Sequence, residues 1–323
     1  MKRLNSLLLV IIISFLFISC EEDFNPYGDY VERFAFTCIL KNDQQYQSAT
    51  LFRSYRPDGF DPSTYTEDPF VAGADIRVWY NDSVFVFRDT SVARIDTSRY
   101  KTPFRYYYND KFSVGSKKSV ELEVLLPNGK RLRSSTVSPG QVNFDDDSDV
   151  IIPSGTKPFV QFFWNELQEG NSFLPKMTIR YKQNVNGQIF DKLKNVPIKY
   201  VTNGNGLTAV YPAASASITI VYDLSAITKA LEEISEGDPN KNNYSIHQKI
   251  LFNVAALDLP TSKYISSTSG NIDDLTVSVD VSDYSNIEGG FGLFGSYSSK
   301  AYTKLRFVQN YIESFGYNFI DEN

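Results

Sequence analysis

The string Gly290-Phe291-Gly292-Leu293-Phe294-Gly295 matches, letter for letter, the G-x-G-x-x-G pattern that cradles a dinucleotide pyrophosphate. That chemistry needs a buried strand feeding the glycines into a helix N-terminus, with an acidic side chain about twenty residues on for the ribose. Here Asp283-Tyr284-Ser285-Asn286 precedes the glycines and Ser296-Tyr297-Ser298-Ser299 follows them, so neither flank fits. The expected role is a tightly packed glycine-rich turn with Phe291 and Phe294 pointing inward, and no nucleotide partner. Asp145, Asp147 and Asp149 alternate as in a calcium loop, but Val150 stands where an EF-hand needs Gly and Thr156 where it needs a bidentate Glu. A calcium site of another kind stays open, and no metal ligands are assigned. His247 is the only histidine, which removes two-histidine metal sites. Without a G-x-S-x-G elbow no serine is nominated for a triad, and His247 is expected to be structural. Glu166 and Glu169 are among many acids that could pair for glycoside cleavage, but nothing in their spacing singles out a pair. No catalytic residue and no cofactor are assigned.

Tyr106-Tyr107-Tyr108, between Arg105 and Asn109, is the candidate ligand platform. Successive side chains of a strand point to opposite faces, so at most two of the three rings share a surface. They are read as half-buried strand aromatics, with an exposed platform for sugar or peptide as the alternative. Cys38 sits in an alternating apolar run with no candidate partner base for a nucleophile near it in sequence, the setting of a small buried hydrophobe.

These side chains need elements to position them, and the composition favours strands. The 24 Phe and 21 Tyr suit pleated, half-buried surfaces. Phe34, Phe36, Cys38 and Leu40 alternate, as do Ala74, Ile76, Val78 and Tyr80, and Asn81-Asp82 then leads into Val84-Phe85-Val86-Phe87 as in a hairpin. Val120, Leu122 and Val124 alternate up to Pro127-Asn128-Gly129-Lys130, a strong turn signal before a polar return strand. The predicted fold is mainly β. An immunoglobulin-like sandwich over residues 30–140, without the cysteine pair and its tryptophan, is followed by a linker over 141–157 rich in Asp, Pro and Gly. A second β-rich, sandwich-like domain over 158–323 is expected to hold one or two short helices. One runs from Ser225 to about Ser235, stopped by Gly237-Asp238-Pro239, and the other from roughly Thr303 to Phe315.

The N-terminus predicts an address. Lys2 and Arg3 precede an uncharged apolar run from Leu7 to Ile18, the length of a signal-peptide core rather than a membrane span. Phe17-Ile18-Ser19-Cys20 reads as a lipobox, so residues 1–19 are a signal peptide and Cys20 becomes the acylated residue. Residues 20–29 form a tether that opens on Glu21, Glu22 and Asp23. Removing the signal leaves 30 basic residues against 38 acidic ones, a formal charge of −8, which makes nucleic acid a poor partner. Lipidation also consumes one of the two cysteines, so no intramolecular disulfide is available.

Four segments together carry a family resemblance. They are the lipobox at Cys20, Val71-Ala72-Gly73-Ala74-Asp75-Ile76, the turn Leu125-Leu126-Pro127-Asn128-Gly129-Lys130 followed by Ser134-Ser135-Thr136, and Asn286-Ile287-Glu288-Gly289-Gly290-Phe291-Gly292. With them the chain resembles a family of Bacteroidota outer-membrane lipoproteins of unknown function over most of its mature length, with Tyr55 to Asp68 as an insertion. The acidic triplet resembles the signal that sends such lipoproteins to the outer leaflet. The resemblance implies a surface-exposed lipoprotein encoded beside a TonB-dependent transporter, with no catalytic residue to carry over. A non-enzymatic accessory or binding component of that uptake complex is therefore the first expectation. A glycan- or peptide-binding lipoprotein acting on its own is the second, and an extracellular hydrolase the third.

Overall fold

The computed structural model describes residues 29–57, 59, 61–165, 172–204, 206–268 and 284–322. The signal run, Cys20 and the acids Glu21, Glu22 and Asp23 lie outside these residues, as do Glu166 and Glu169. The described chain is mainly β, as its alternation predicts.

In β1 (Phe34–Lys41) every second residue is buried, and β2 (Gln47–Arg53) returns antiparallel beside it. β3 (Asp75–Tyr80) and β4 (Ser83–Val92) form a hairpin whose turn residues Asn81 and Asp82 take φ of 46° and 59°. Positive φ at both positions is what a two-residue type I′ turn requires, and its twist matches that of the flanking strands. β5 (Phe104–Asn109), β6 (Ser119–Leu125) and β7 (Arg131–Val137) complete the first group. β4 is the corner of this group: Ser83 to Phe87 pair with β3, whereas Arg88 to Val92 pair with β5. One strand thus serves two wings, β4-β3-β6-β7 and β4-β5-β2-β1. Phe36, Leu51 and Tyr107 from one wing meet Ile76, Leu122 and Leu132 from the other in a common core, the arrangement of a sandwich.

The second group opens with the short β8 (Asn143–Phe144) and β9 (Ile151–Ile152), then β10 (Phe159–Asn165). A long hairpin of β11 (Ser172–Val185) and β12 (Gln188–Val196) follows, then a smaller one of β13 (Lys199–Asn203) and β14 (Gly206–Val210). β15 (Thr219–Asp223) runs directly into helix α1 (Leu224–Glu232), and β16 (Tyr244–His247) and β17 (Leu251–Leu257) precede α2 (Leu259–Thr268). β18 (Phe291–Tyr302), β19 (Arg306–Phe307), α3 (Gln309–Glu313) and β20 (Asn318–Ile320) close the described chain. The sheet β15-β10-β8 and α1 cover one face of β20-β16-β11-β17-β18, and between them lie Phe162, Trp164, Ile179, Tyr222, Leu231 and Phe252.

β18 joins the two cores. Its residues Phe291 to Tyr297 run parallel to β1, and Tyr297 to Tyr302 run antiparallel to β17. Ile287 and Phe294, late in the sequence, therefore belong to the first core. Phe291 departs from expectation: it is 47% exposed, with the Arg33 guanidinium 5.3 Å from its ring centre. The helix expected from Ser225 is α1. The one expected from Thr303 shrinks to α3, because Arg306 and Phe307 pair with β9 and bury Leu305 and Phe307 in the second core. α2 has no counterpart among the expected helices: Thr261 and Ser262 are weak helix formers and Pro260 is suited only to a first turn, which here starts on a cap from Asp258.

Candidate functional site

β5 separates the three tyrosines. Tyr107 points inward and is 1% exposed. Its hydroxyl donates to the Val71 carbonyl at 2.7 Å and accepts from the Ala74 amide at 3.0 Å, and its ring stacks on Phe70 at 5.3 Å. It fixes the segment leading into β3, and burial pushes its hydroxyl above the ordinary tyrosine range, which keeps it a neutral donor. Tyr106 and Tyr108 point the other way. The Tyr46 hydroxyl lies 2.8 Å from that of Tyr106, and the Tyr46 ring stacks on Tyr108 at 5.6 Å. Arg88 covers Tyr108 at 4.9 Å, and Phe104 stacks on Tyr106 at 6.0 Å. Burial, then the hydrogen bond with Tyr106, raise the Tyr46 hydroxyl above its ordinary value, so this ring also stays neutral.

The stacking decides what these rings offer. A sugar packs its C–H face on an open ring face, but here the ring faces are turned onto one another and onto Arg88. Beside them, the outward side of β4 carries Val84, Val86 and Val92, each about half exposed, with Arg88 and Thr90 directly across from Tyr108 and Tyr106. Trp79 and Arg77 stand opposite Val84 and Val86 on β3. Half-buried tyrosine and tryptophan rings around arginines share the aromatic and Arg enrichment of protein-interface centres, and the exposed valines beside them add apolar surface. The insertion expected at Tyr55 to Asp68 folds against this region. Arg99 donates to the Pro62 and Tyr65 carbonyls, Tyr55 and Tyr65 stack at 4.1 Å, and Arg94 pairs with Asp68 at 2.8 Å.

Other chemistry-bearing residues are committed to the fold. The Asp149 carboxylate accepts from the Gln161 amide, the Ser154 hydroxyl and Lys157, all within 3.1 Å. Burial works against that charge, but these donors outweigh it and hold the carboxyl below its ordinary value. Asp146 pairs with Lys304, and Asp145 accepts from the Asp147 amide. Among the described residues no group of three or more His, Cys, Asp or Glu is placed to hold a metal ion. His247 Nδ1 lies 2.9 Å from Glu322, which also takes two hydrogen bonds from Arg180 and one from the Lys249 amide. Cys38 is buried among apolar side chains, which pushes its thiol up and disfavours the thiolate.

The glycine string is filled by protein. Gly292 has φ 110°, and a Cβ built there would lie 2.0 Å from the Phe36 carbonyl oxygen. At Gly295 it would lie 2.2 Å from Thr261 Oγ1. The strand continues through the string to Tyr302 rather than turning into a helix, so these glycines bring β1 and α2 close to β18.

Two features escape the sequence reading. Asp258, 2% exposed, accepts from Thr136 Oγ1 at 2.5 Å, Ser296 Oγ at 2.9 Å and the Thr261 amide at 2.8 Å. It ties β7, β18 and α2 together. The available signal was local: Asp258-Leu259-Pro260 reads as a helix cap followed by Pro in the first turn. The second is a cleft of about 360 Å³ over β11, β17 and β18, whose sequence signal is the absence of alternating charge on the outward side of β17. No protein-family model matches the chain, and neither does any curated protein.

Proposed function

We propose that this protein is a lipid-anchored, non-catalytic docking component of a TonB-dependent uptake complex, held at the outer face of the outer membrane through Cys20. The observation that carries this reading is the outward side of β4 and β5, where Val84, Val86, Val92, Tyr106 and Tyr108 surround Arg88. Rings already locked by stacking lose little freedom on docking, and Tyr and Arg are over-represented among residues that dominate binding energy. The lipobox, the acids Glu21, Glu22 and Asp23 and the resemblance to outer-membrane lipoproteins support the address. The formal charge of the mature chain argues against nucleic acid.

The test is a photo-reactive residue at Val86 or Thr90 of the lipidated protein in living cells, with Lys192 on β12 as the control position. A cross-link from β4 to one outer-membrane barrel protein is expected, absent from Lys192 and lost in Cys20→Ala. Equal cross-linking from all positions, or none with the protein migrating as a free monomer, would overturn the reading.

A further inference from the structure

We propose that the cleft beside β12 is a binding site for a short, uncharged oligosaccharide, a site separate from the β4–β5 face and independent of any partner docked there. The cleft lies on the face of the second sheet opposite its core. Along β17, Phe252 and Val254 enter that core, while Leu251, Asn253 and Ala255 face the other way. Across the floor these meet Leu174 and Thr178 of β11 and Tyr297 and Ser299 of β18. Leu193 and Asn195 of β12 border it together with Tyr211, and Asp43 and Gln44 reach it from the turn between β1 and β2. Both sandwiches therefore contribute to the site.

Size and chemistry select the ligand class. About 360 Å³ sits at the small end of ligand pockets, room for a disaccharide-sized molecule. An ordinary solvated sheet face carries charged side chains. This one carries a single charge on its strands, Lys176, and otherwise pairs apolar surface, including Tyr211 at 46% exposure and Leu251 at 38%, with amides and hydroxyls. Among the described residues the side chains of Gln44, Asn253 and Ser299 make no hydrogen bond, and neither does the NH₂ of Asn195, whose oxygen accepts from the Thr178 hydroxyl. An amide offers both donors and acceptors, as a sugar hydroxyl does, whereas the aliphatic and tyrosine surface suits the C–H faces of a pyranose ring. The two charges in the cleft, Asp43 and Lys176, are of opposite sign, so neither an anionic nor a cationic ligand is favoured. Unlike Tyr106 and Tyr108, Tyr211 is engaged in no ring stack among the described residues.

The experiment uses the full-length lipidated protein in a detergent without a sugar headgroup. The probes are neutral di- to tetrasaccharides of glucose, galactose, mannose and N-acetylglucosamine, sulfated counterparts of each, and a set of neutral tetrapeptides. Saturation-transfer NMR and calorimetry are expected to detect at least one neutral sugar, with affinity falling tenfold or more in Tyr211→Ala and in Gln44→Ala. Both positions are exposed, so both variants should melt like the wild type. Asn253→Ala should weaken binding similarly, and Tyr106→Ala should leave it unchanged. Binding of no neutral sugar, preference for sulfated sugars or peptides, or affinity unmoved by Tyr211→Ala and Gln44→Ala would each overturn the assignment.

Discussion

Among the described glycines, Gly292→Ala should be the most damaging added methyl, and the structure shows why. The residue has φ 110°, and its added Cβ would sit 2.0 Å from the Phe36 carbonyl oxygen and 2.9 Å from the carbonyl carbon. Two costs combine. Holding alanine in that backbone conformation costs about 1–3 kcal/mol, and forcing β1 and β18 apart adds roughly 1–3 kcal/mol of overpacking. Gly129→Ala isolates the first cost, because Gly129 has φ 82° with nothing within 4 Å of a built Cβ. At about 2–4 °C per kcal/mol for a chain of this size, Gly292→Ala should melt on the order of 10 °C below wild type, and Gly129→Ala should fall by about half as much or less. Thermal melts followed by near-ultraviolet dichroism give the comparison, and hydrogen exchange at the β1 amides locates it. If both variants melt within about 2 °C of each other, the close approach of β18 to Phe36 does not hold these sandwiches together. The glycine string would then need another explanation.

Asp258→Ala leaves the Thr136 and Ser296 hydroxyls and the Thr261 amide without their acceptor, and should cost about 2–4 kcal/mol in urea unfolding. Burial raises the Asp258 carboxyl above its ordinary 3.8, so the folded state holds the proton more tightly. The stability it contributes is complete below that ordinary value and is lost as pH rises through the folded value; Asp258→Asn should remove this slope, and an unchanged profile would contradict it. Glu322 has the opposite sign. Burial opposes its charge, but His247, the Lys249 amide and Arg180 outweigh burial and hold its carboxyl below the ordinary 4.5. Its contribution is present above that value and lost as pH falls through the folded one, so Glu322→Gln should flatten the acid limb of the stability profile. Replacing Glu21, Glu22 and Asp23 together by Ala should retain lipidation but reduce proteolytic shaving of intact cells; unchanged accessibility would make the triplet a spacer.

What the residues determine by themselves is local. The alternation of Phe34, Phe36, Cys38 and Leu40 specifies a strand and its buried side, and Asn81-Asp82 and Asn128-Gly129 specify where chains reverse, because pleat and turn conformations depend on near neighbours. The opposite directions of Tyr107 and its two neighbours follow from the same period of two. Partner choice is not local. That β4 changes wings at Phe87, that Phe294 completes a core begun at Phe34, and that Arg306 and Phe307 leave an apparent helix for β9 depend on surfaces far apart in sequence. A short apolar pattern is compatible with strand or helix until tertiary burial selects one. The ring contacts of Tyr106 and Tyr108 arise when the turn before β2 and the strand β4 pack beside β5, whereas the dry setting of Asp258 and the cleft lined by Asp43, Asn253 and Tyr211 arise only when the two sandwiches are joined. Ring contacts, desolvation and concavity are properties of packed surfaces, and no window of sequence contains both sides of one.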